Sequence, residues 1–171
     1  MAGGQVELHF RQQRRAGDHC RGLGLAHPCD GGTEWHAVTP ANVQATPCAS
    51  IDASRRLAMV EWTPTDATRI ADAASGQVLA DALVNRGALS VSGQLLGLAQ
   101  RMLDLTVDYA AQRKQFGKPI GAFQAVKHHL ADVVTKIEFA KPVFYRAASA
   151  LASNAPDAAV RVSHAKLACA E

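Results

Sequence analysis

From residue 91 onward apolar side chains return every three or four positions: Val91, Leu95, Leu98, Met102, Leu105 and Tyr109. That spacing draws one seam along a helix and predicts a long helix over residues 79–112, about 50 Å at the usual rise per residue. A second seam, from Phe123 through Val126, Leu130, Val133, Ile137, Ala140, Phe144 and Ala147 to Leu151, predicts another. Pro142 falls inside it and is expected to kink the helix or cost it a backbone hydrogen bond. The Ser-Asn-Ala-Pro-Asp-Ala-Ala run at residues 153–159 ends it, and Pro156 or Asp157 opens a third helix reaching to Glu171. Two seams joined by about ten residues fold back as an antiparallel pair, with the third helix over one groove. Leu96, Leu103 and Val134 lie off the seams and call for further helices, from this chain or another.

Upstream the period shortens. Residues 35–38, 42–48 and 57–62 read as strands; in the last, Ala58, Val60 and Trp62 share one face and Leu57 and Met59 the other. Residues 63–69, Thr-Pro-Thr-Asp-Ala-Thr-Arg, read as a linker, with Asp66 positioned to cap a short helix through about Gly76. Residues 1–34 are rich in Gly, Arg and His with no sustained period, so an irregular or poorly ordered segment is expected. The fold class is therefore mainly α: an incomplete antiparallel helical bundle over residues 66–171, preceded by a partial β-domain over residues 35–65. Three strands are too few to close a substantial sheet.

Composition narrows the function. The net charge of +3 is dispersed apart from Arg11, Arg14 and Arg15, and aromatic residues are 5% of the chain, so a nucleic-acid surface is not expected. No apolar run approaches the ~20 residues of a membrane span, and the N-terminus has no signal-peptide core, so the expected location is cytoplasmic. Four cysteines are too few and too irregular for a disulfide framework. His19, Cys20, His27 and Cys29 are possible metal ligands, but their order fits no familiar zinc spacing and no metal is expected. Arg-Gly-Leu-Gly-Leu lacks the third glycine of a dinucleotide loop.

The chemistry concentrates between the long helices. Gly117 and Pro119 end the first, and Gly121 permits a tight return into the second. Arg113 offers a planar fork of donors suited to a phosphate or diphosphate. Gln115 and Gln124 add amides, and Phe116 and Phe123 add flat apolar surface. The same residues also allow a plainer role, with Arg113 capping helix carbonyls and the two rings plugging the end of the bundle.

The tract Leu-Gly-Leu-Ala-Gln-Arg-Met-Leu-Asp-Leu-Thr-Val-Asp-Tyr-Ala-Ala-Gln-Arg-Lys-Gln-Phe-Gly-Lys-Pro-Ile-Gly-Ala-Phe-Gln-Ala-Val-Lys-His-His-Leu-Ala-Asp-Val resembles the C-terminal helical domain of acyl-CoA dehydrogenases. The resemblance continues more loosely to Glu171, and residues 35–64 look like the end of that family's middle β-domain. It implies FAD-dependent oxidation of the α,β C–C bond of an acyl-CoA thioester, with hydride passing to FAD. It places Arg113 at the FAD diphosphate and Gln115, Phe116, Phe123 and Gln124 at further cofactor contacts. In the family these reach the flavin of a neighbouring subunit, implying a homo-oligomer, or a hetero-oligomer with a full-length dehydrogenase subunit.

The family's catalytic carboxylate has no counterpart here. Asp104, Asp108, Asp132 and Glu138 lie on helices, where a solvated face or an intrahelical pair is expected. One of His128 and His129 is expected at the seam edge and the other in solvent; Arg86 lies near the family's acyl-CoA contacts. A chain of this extent is expected not to dehydrogenate acyl-CoA alone. Two further readings stay open: a non-catalytic partner completing another subunit's FAD site, and a fragment without function.

Overall fold

The computed structural model describes residues 6–8, 23–51 and 57–171. Two compact units, Met1–Asp81 and Ala82–Glu171, divide the chain.

Among its described residues the first unit holds six short strands: β1 (Val6–Leu8), β2 (Leu23–Cys29), β3 (Gly32–Val38), β4 (Gln44–Cys48), β5 (Leu57–Glu61) and β6 (Arg69–Ala71). They form two antiparallel three-stranded sheets, ordered β1-β5-β4 and β2-β3-β6. Leu25, Val38 and Val60 form the core, with Leu23, Val43 and Trp62 packed against it. The three expected strands are present, but two expectations fail. Residues 23–34 are not irregular: β2 and β3 pair from Leu23 opposite Val38 to Cys29 opposite Gly32, leaving Asp30 and Gly31 as a two-residue turn. Gly31 takes φ 97°, the left-handed region such a turn requires. Residues 1–5 and 9–22 lie outside the described residues.

Asp66 opens no helix either. Residues 66–68 turn, and β6 then pairs with β3. Asp72 starts the helix instead, its Oδ1 accepting the Ser75 N–H at 2.9 Å. Trp35 and the next turn secure that start, Nε1 donating to the Gly76 carbonyl at 3.0 Å.

α1 (Ala73–Gln112), α2 (Gln124–Ala152) and α3 (Ala158–Ala168) follow. The second unit packs Ala147, Val162 and Ala165 at its centre, with Ala88, Leu89, Val143 and Leu151 around them. The α2 seam is correctly placed: Ile137, Ala140 and Ala147 are buried on it. α2 continues through Pro142, whose missing N–H leaves the Glu138 carbonyl without its helical donor.

The expected α1 seam is on the wrong face. Val91, Leu98, Met102, Leu105 and Tyr109 are exposed, while Ser92, Leu103 and Ala110 are buried. Close approach explains the choice. A Cβ on Gly93 would lie 3.1 Å from the Phe144 ring, so small residues, not the widest apolar ones, admit α2. Leu103, expected off the seam, is part of the true contact face.

Candidate functional site

The corner between α1 and α2 is built by a miniature hairpin. Arg113 follows the last residue of α1; its N–H still bonds the Tyr109 carbonyl at 2.9 Å, and its carbonyl accepts the Ile120 N–H at 2.8 Å. β7 (Lys114–Gln115) pairs with β8 (Lys118–Pro119), so Phe116 and Gly117 form the two-residue loop. Their φ angles are 51° and 78°. Glycine takes this backbone freely, whereas an L-residue such as phenylalanine is held there at a cost of about 1–2 kcal/mol. The chain then makes a 3-10 turn over Ile120–Ala122, closed by the Phe123 N–H on the Ile120 carbonyl at 3.1 Å. Gly121 lets the turn approach α1 closely there: a Cβ would meet the Ala110 carbonyl oxygen at 3.1 Å.

This frame places Arg113, Gln115, Phe116, Phe123 and Gln124 on the connection between α1 and α2 and its first helical turn. Phe116 is 91% exposed and meets Phe123 edge to face, centroids 6.1 Å apart. Lys118, which the sequence reading passed over, sets its Nζ 4.4 Å above the Phe123 ring. Its signal was its place two residues past Phe116, on the returning arm of the hairpin. The side chains of Arg113, Gln115 and Gln124 are exposed and make no hydrogen bond or ion pair with another described residue. Arg113 therefore does not cap described carbonyls, and Phe116 does not plug the bundle. The corner is also electropositive: Arg113, Lys114, Lys118 and Lys127 fall in the sequence between Asp108 and Asp132, with no acidic residue among them. The start of the 29-residue helix α2 adds unpaired N–H groups and its positive dipole end. One guanidinium fork, two free amides and two rings on the hairpin and the adjoining start of α2 suit a ligand that joins phosphate to a flat ring system.

Elsewhere the proton-transfer candidates separate. His128 and His129 are both exposed, correcting the expectation that one lies at the seam edge; the buried face of α2 passes through Ile137 and Ala140 instead. Glu138 pairs with Lys141 along α2, and Asp104 accepts the Gln100 amide at 3.0 Å. Asp108, Asp132 and Arg86 are exposed.

In the first unit, His27 and His36 flank Trp62, with His36 only 2% exposed. Thr68 Oγ1 donates to the Thr65 carbonyl at 2.9 Å, so it accepts the His36 Nδ1–H at 3.0 Å. His36 Nε2 faces Glu34 Oε2 at 3.5 Å, and Glu34 is also held by Arg69 at 3.1 Å. The His36–Thr68 bond and the Glu34–Arg69 pair tie β3 to the turn and strand that follow, while His36 Nε2 makes no hydrogen bond. Cys29 approaches the Gly32 carbonyl, and no three metal-ligating side chains converge among the described residues. His19 and Cys20 lie outside them.

A family model described as "Acyl-CoA dehydrogenase, C-terminal domain" matches residues 74–171. The acyl-CoA dehydrogenase IpdE2 of Mycolicibacterium smegmatis is 41% identical over 113 residues, covering 66% of this chain and 32% of that protein. The caffeyl-CoA reductase-Etf complex subunit CarC of Acetobacterium woodii is 46% identical over 85 residues, 50% of this chain and 22% of that one. The structure of butyryl-CoA dehydrogenase from Megasphaera elsdenii superposes with a TM-score of 0.74 at 22% identity, covering 86% of this chain and 41% of that one. At that identity the likeness shows the fold alone. The chain thus spans about a third or less of the length of these two curated relatives.

Proposed function

The chain belongs to the acyl-CoA dehydrogenase family, and from that premise we propose that its α1–α2 corner is an FAD-binding element serving the α,β-oxidation of acyl-CoA thioesters. Arg113 would hold the diphosphate, with Lys118 and the first N–H groups of α2 beside it. Gln115 and Gln124 hydrogen-bond the polar edges of the cofactor, and Phe116 and Phe123 provide the flat apolar walls. When bound, FAD accepts the hydride; the residues of this corner hold and orient it and move no proton.

The observation that carries this reading is a strained, exposed Phe116 beside an Arg and two amides whose side chains no described residue engages. Strain of this kind persists where a ligand contact has been selected over local stability. Arg113, Gln115, Phe116 and Gln124 are exposed, with Phe123 half-buried behind them, which supports a site completed by a neighbouring subunit. That neighbour is a second copy or a full-length dehydrogenase subunit, in the cytoplasm, with acyl-CoA as the substrate of the assembled site.

The test is an FAD titration of the whole chain followed by flavin absorbance and fluorescence. Saturable binding is expected, weakened at least tenfold by Arg113→Ala, a loss of about 1.4 kcal/mol or more. Titration with no saturation, or affinity indifferent to Arg113, overturns the assignment. The partner-subunit reading rests on the same outward-facing corner. It predicts co-purification with a full-length dehydrogenase subunit, disrupted by the same substitution.

A further inference from the structure

Lys118 extends its side chain over one of the two aromatic walls of the corner. Its Nζ lies 4.4 Å from the centroid of the Phe123 ring. Phe123 is half-buried and Lys118 is exposed, so the ammonium covers the side of that ring still open to solvent. Phe116 stands nearly perpendicular to Phe123, the ring planes at 88°, and is itself 91% exposed. A flat ligand can therefore lie on Phe116 unopposed, but it reaches the open side of Phe123 only by moving Lys118. Arg113, Lys114 and Lys127, the neighbouring cations, meet no ring among the described residues.

The hairpin register limits where the displaced ammonium goes. Gln115 is directly opposite Lys118 across the β7–β8 ladder, so the two side chains leave the same side of the hairpin. The lysine stem turns freely about its bonds. The Phe123 backbone, in contrast, is held at both ends, its N–H on the Ile120 carbonyl and its carbonyl on the Lys127 N–H. The cation moves and the ring stays. An exposed cation–π contact is worth about two- to fivefold in an equilibrium constant. A hydrogen bond from an ammonium to a phosphate oxygen is worth roughly tenfold or more. Phosphate thus draws Lys118 off the ring, while a flat ring without phosphate displaces it with nothing in exchange.

Given the reading of the corner as an FAD-binding element, we propose that Lys118 is a phosphate-operated cover on the Phe123 wall. It is the residue by which the corner prefers a flat ring joined to phosphate over the same ring alone. Arg113 supplies affinity for a diphosphate; Lys118 makes access to the second wall conditional on one.

Titrating FAD and riboflavin into the whole chain and into Lys118→Ala separates this role from a structural one. Alanine removes the ammonium and its stem at an exposed position, so the fold is kept. FAD is expected to bind the variant about threefold or more weakly, and riboflavin about two- to fivefold more tightly. Lys118→Arg, which restores a cation, is expected to reverse both shifts. In the chain without ligand, the Phe123 ring current should hold the Lys118 ε-methylene protons upfield of those of the other lysines in the NMR spectrum. That displacement should be absent from Phe123→Leu and abolished by inorganic pyrophosphate. Two ligands shifted in the same direction, either affinity left unchanged, or Lys118 protons that show no upfield displacement or keep it in pyrophosphate overturn the proposal and leave the FAD assignment standing. No saturable FAD binding by the unaltered chain overturns both.

Discussion

At Gly76 the first unit brings α1 so close to β3 that a Cβ would lie 1.9 Å from the Thr33 carbonyl oxygen, with the Trp35 ring at 3.0 Å. Backbone, not a movable side chain, blocks the space. Gly76→Ala is expected to cost about 1–3 kcal/mol by overpacking, read as a lowered denaturation midpoint. Four residues earlier, the Ser75 hydroxyl and then the Ser75 N–H hold the Asp72 carboxyl below its ordinary range. A depressed folded value means the carboxylate form stabilises the helix start above the ordinary aspartate range, and that contribution is lost as pH falls through the depressed value. Asp72→Ala should therefore lower the denaturation midpoint at neutral pH and leave it unchanged in strong acid. Burial raises the Cys169 thiol, opposed by Lys166, whereas Cys48 is exposed. Alkylation at mildly alkaline pH should reach Cys48 before Cys169, which peptide mapping would show.

Among the elements, the β7–β8 hairpin sets binding against stability most sharply. Phe116 gives up backbone comfort for an exposed ring whose contact with Phe123 is worth roughly 0.5–1.5 kcal/mol at most. Phe116→Asn, which tolerates the left-handed backbone, should leave thermal stability unchanged or up to ~1 kcal/mol higher while weakening FAD binding. Lost stability with unchanged binding would show that the ring serves the fold.

The two long helices were legible because each repeats an apolar period over many turns, the third because Pro156 and Asp157 mark its start, and the corner because Arg113, Phe116 and Gly117 interrupt the period with specific chemistry. The contact face of α1 was not, since close packing selects small residues such as Gly93 and Ser92, which a search for large apolar side chains passes over. Nor was the β2–β3 hairpin read. Its Asp30-Gly31-Gly32 turn signal was present, but Gly24 and Pro28 masked the alternation around it. The β6 strand exists because β3 offers it a partner, a fact no local window contains.

Among the described residues, a cationic, ring-bearing corner and an apolar stripe on α1 are exposed. The first is the corner proposed above to hold FAD, and the second keeps Leu98 and Met102 in solvent. The corner carries the central claim, that this chain holds a flavin cofactor chiefly through its diphosphate. Calorimetric titration of the whole chain with ADP, which has the diphosphate and no flavin ring, tests that directly against riboflavin, which has the ring and no diphosphate. The account predicts saturable ADP binding that weakens with added salt and with Arg113→Ala, and much weaker binding of riboflavin. Riboflavin binding with none of ADP, or ADP binding indifferent to Arg113, would contradict it.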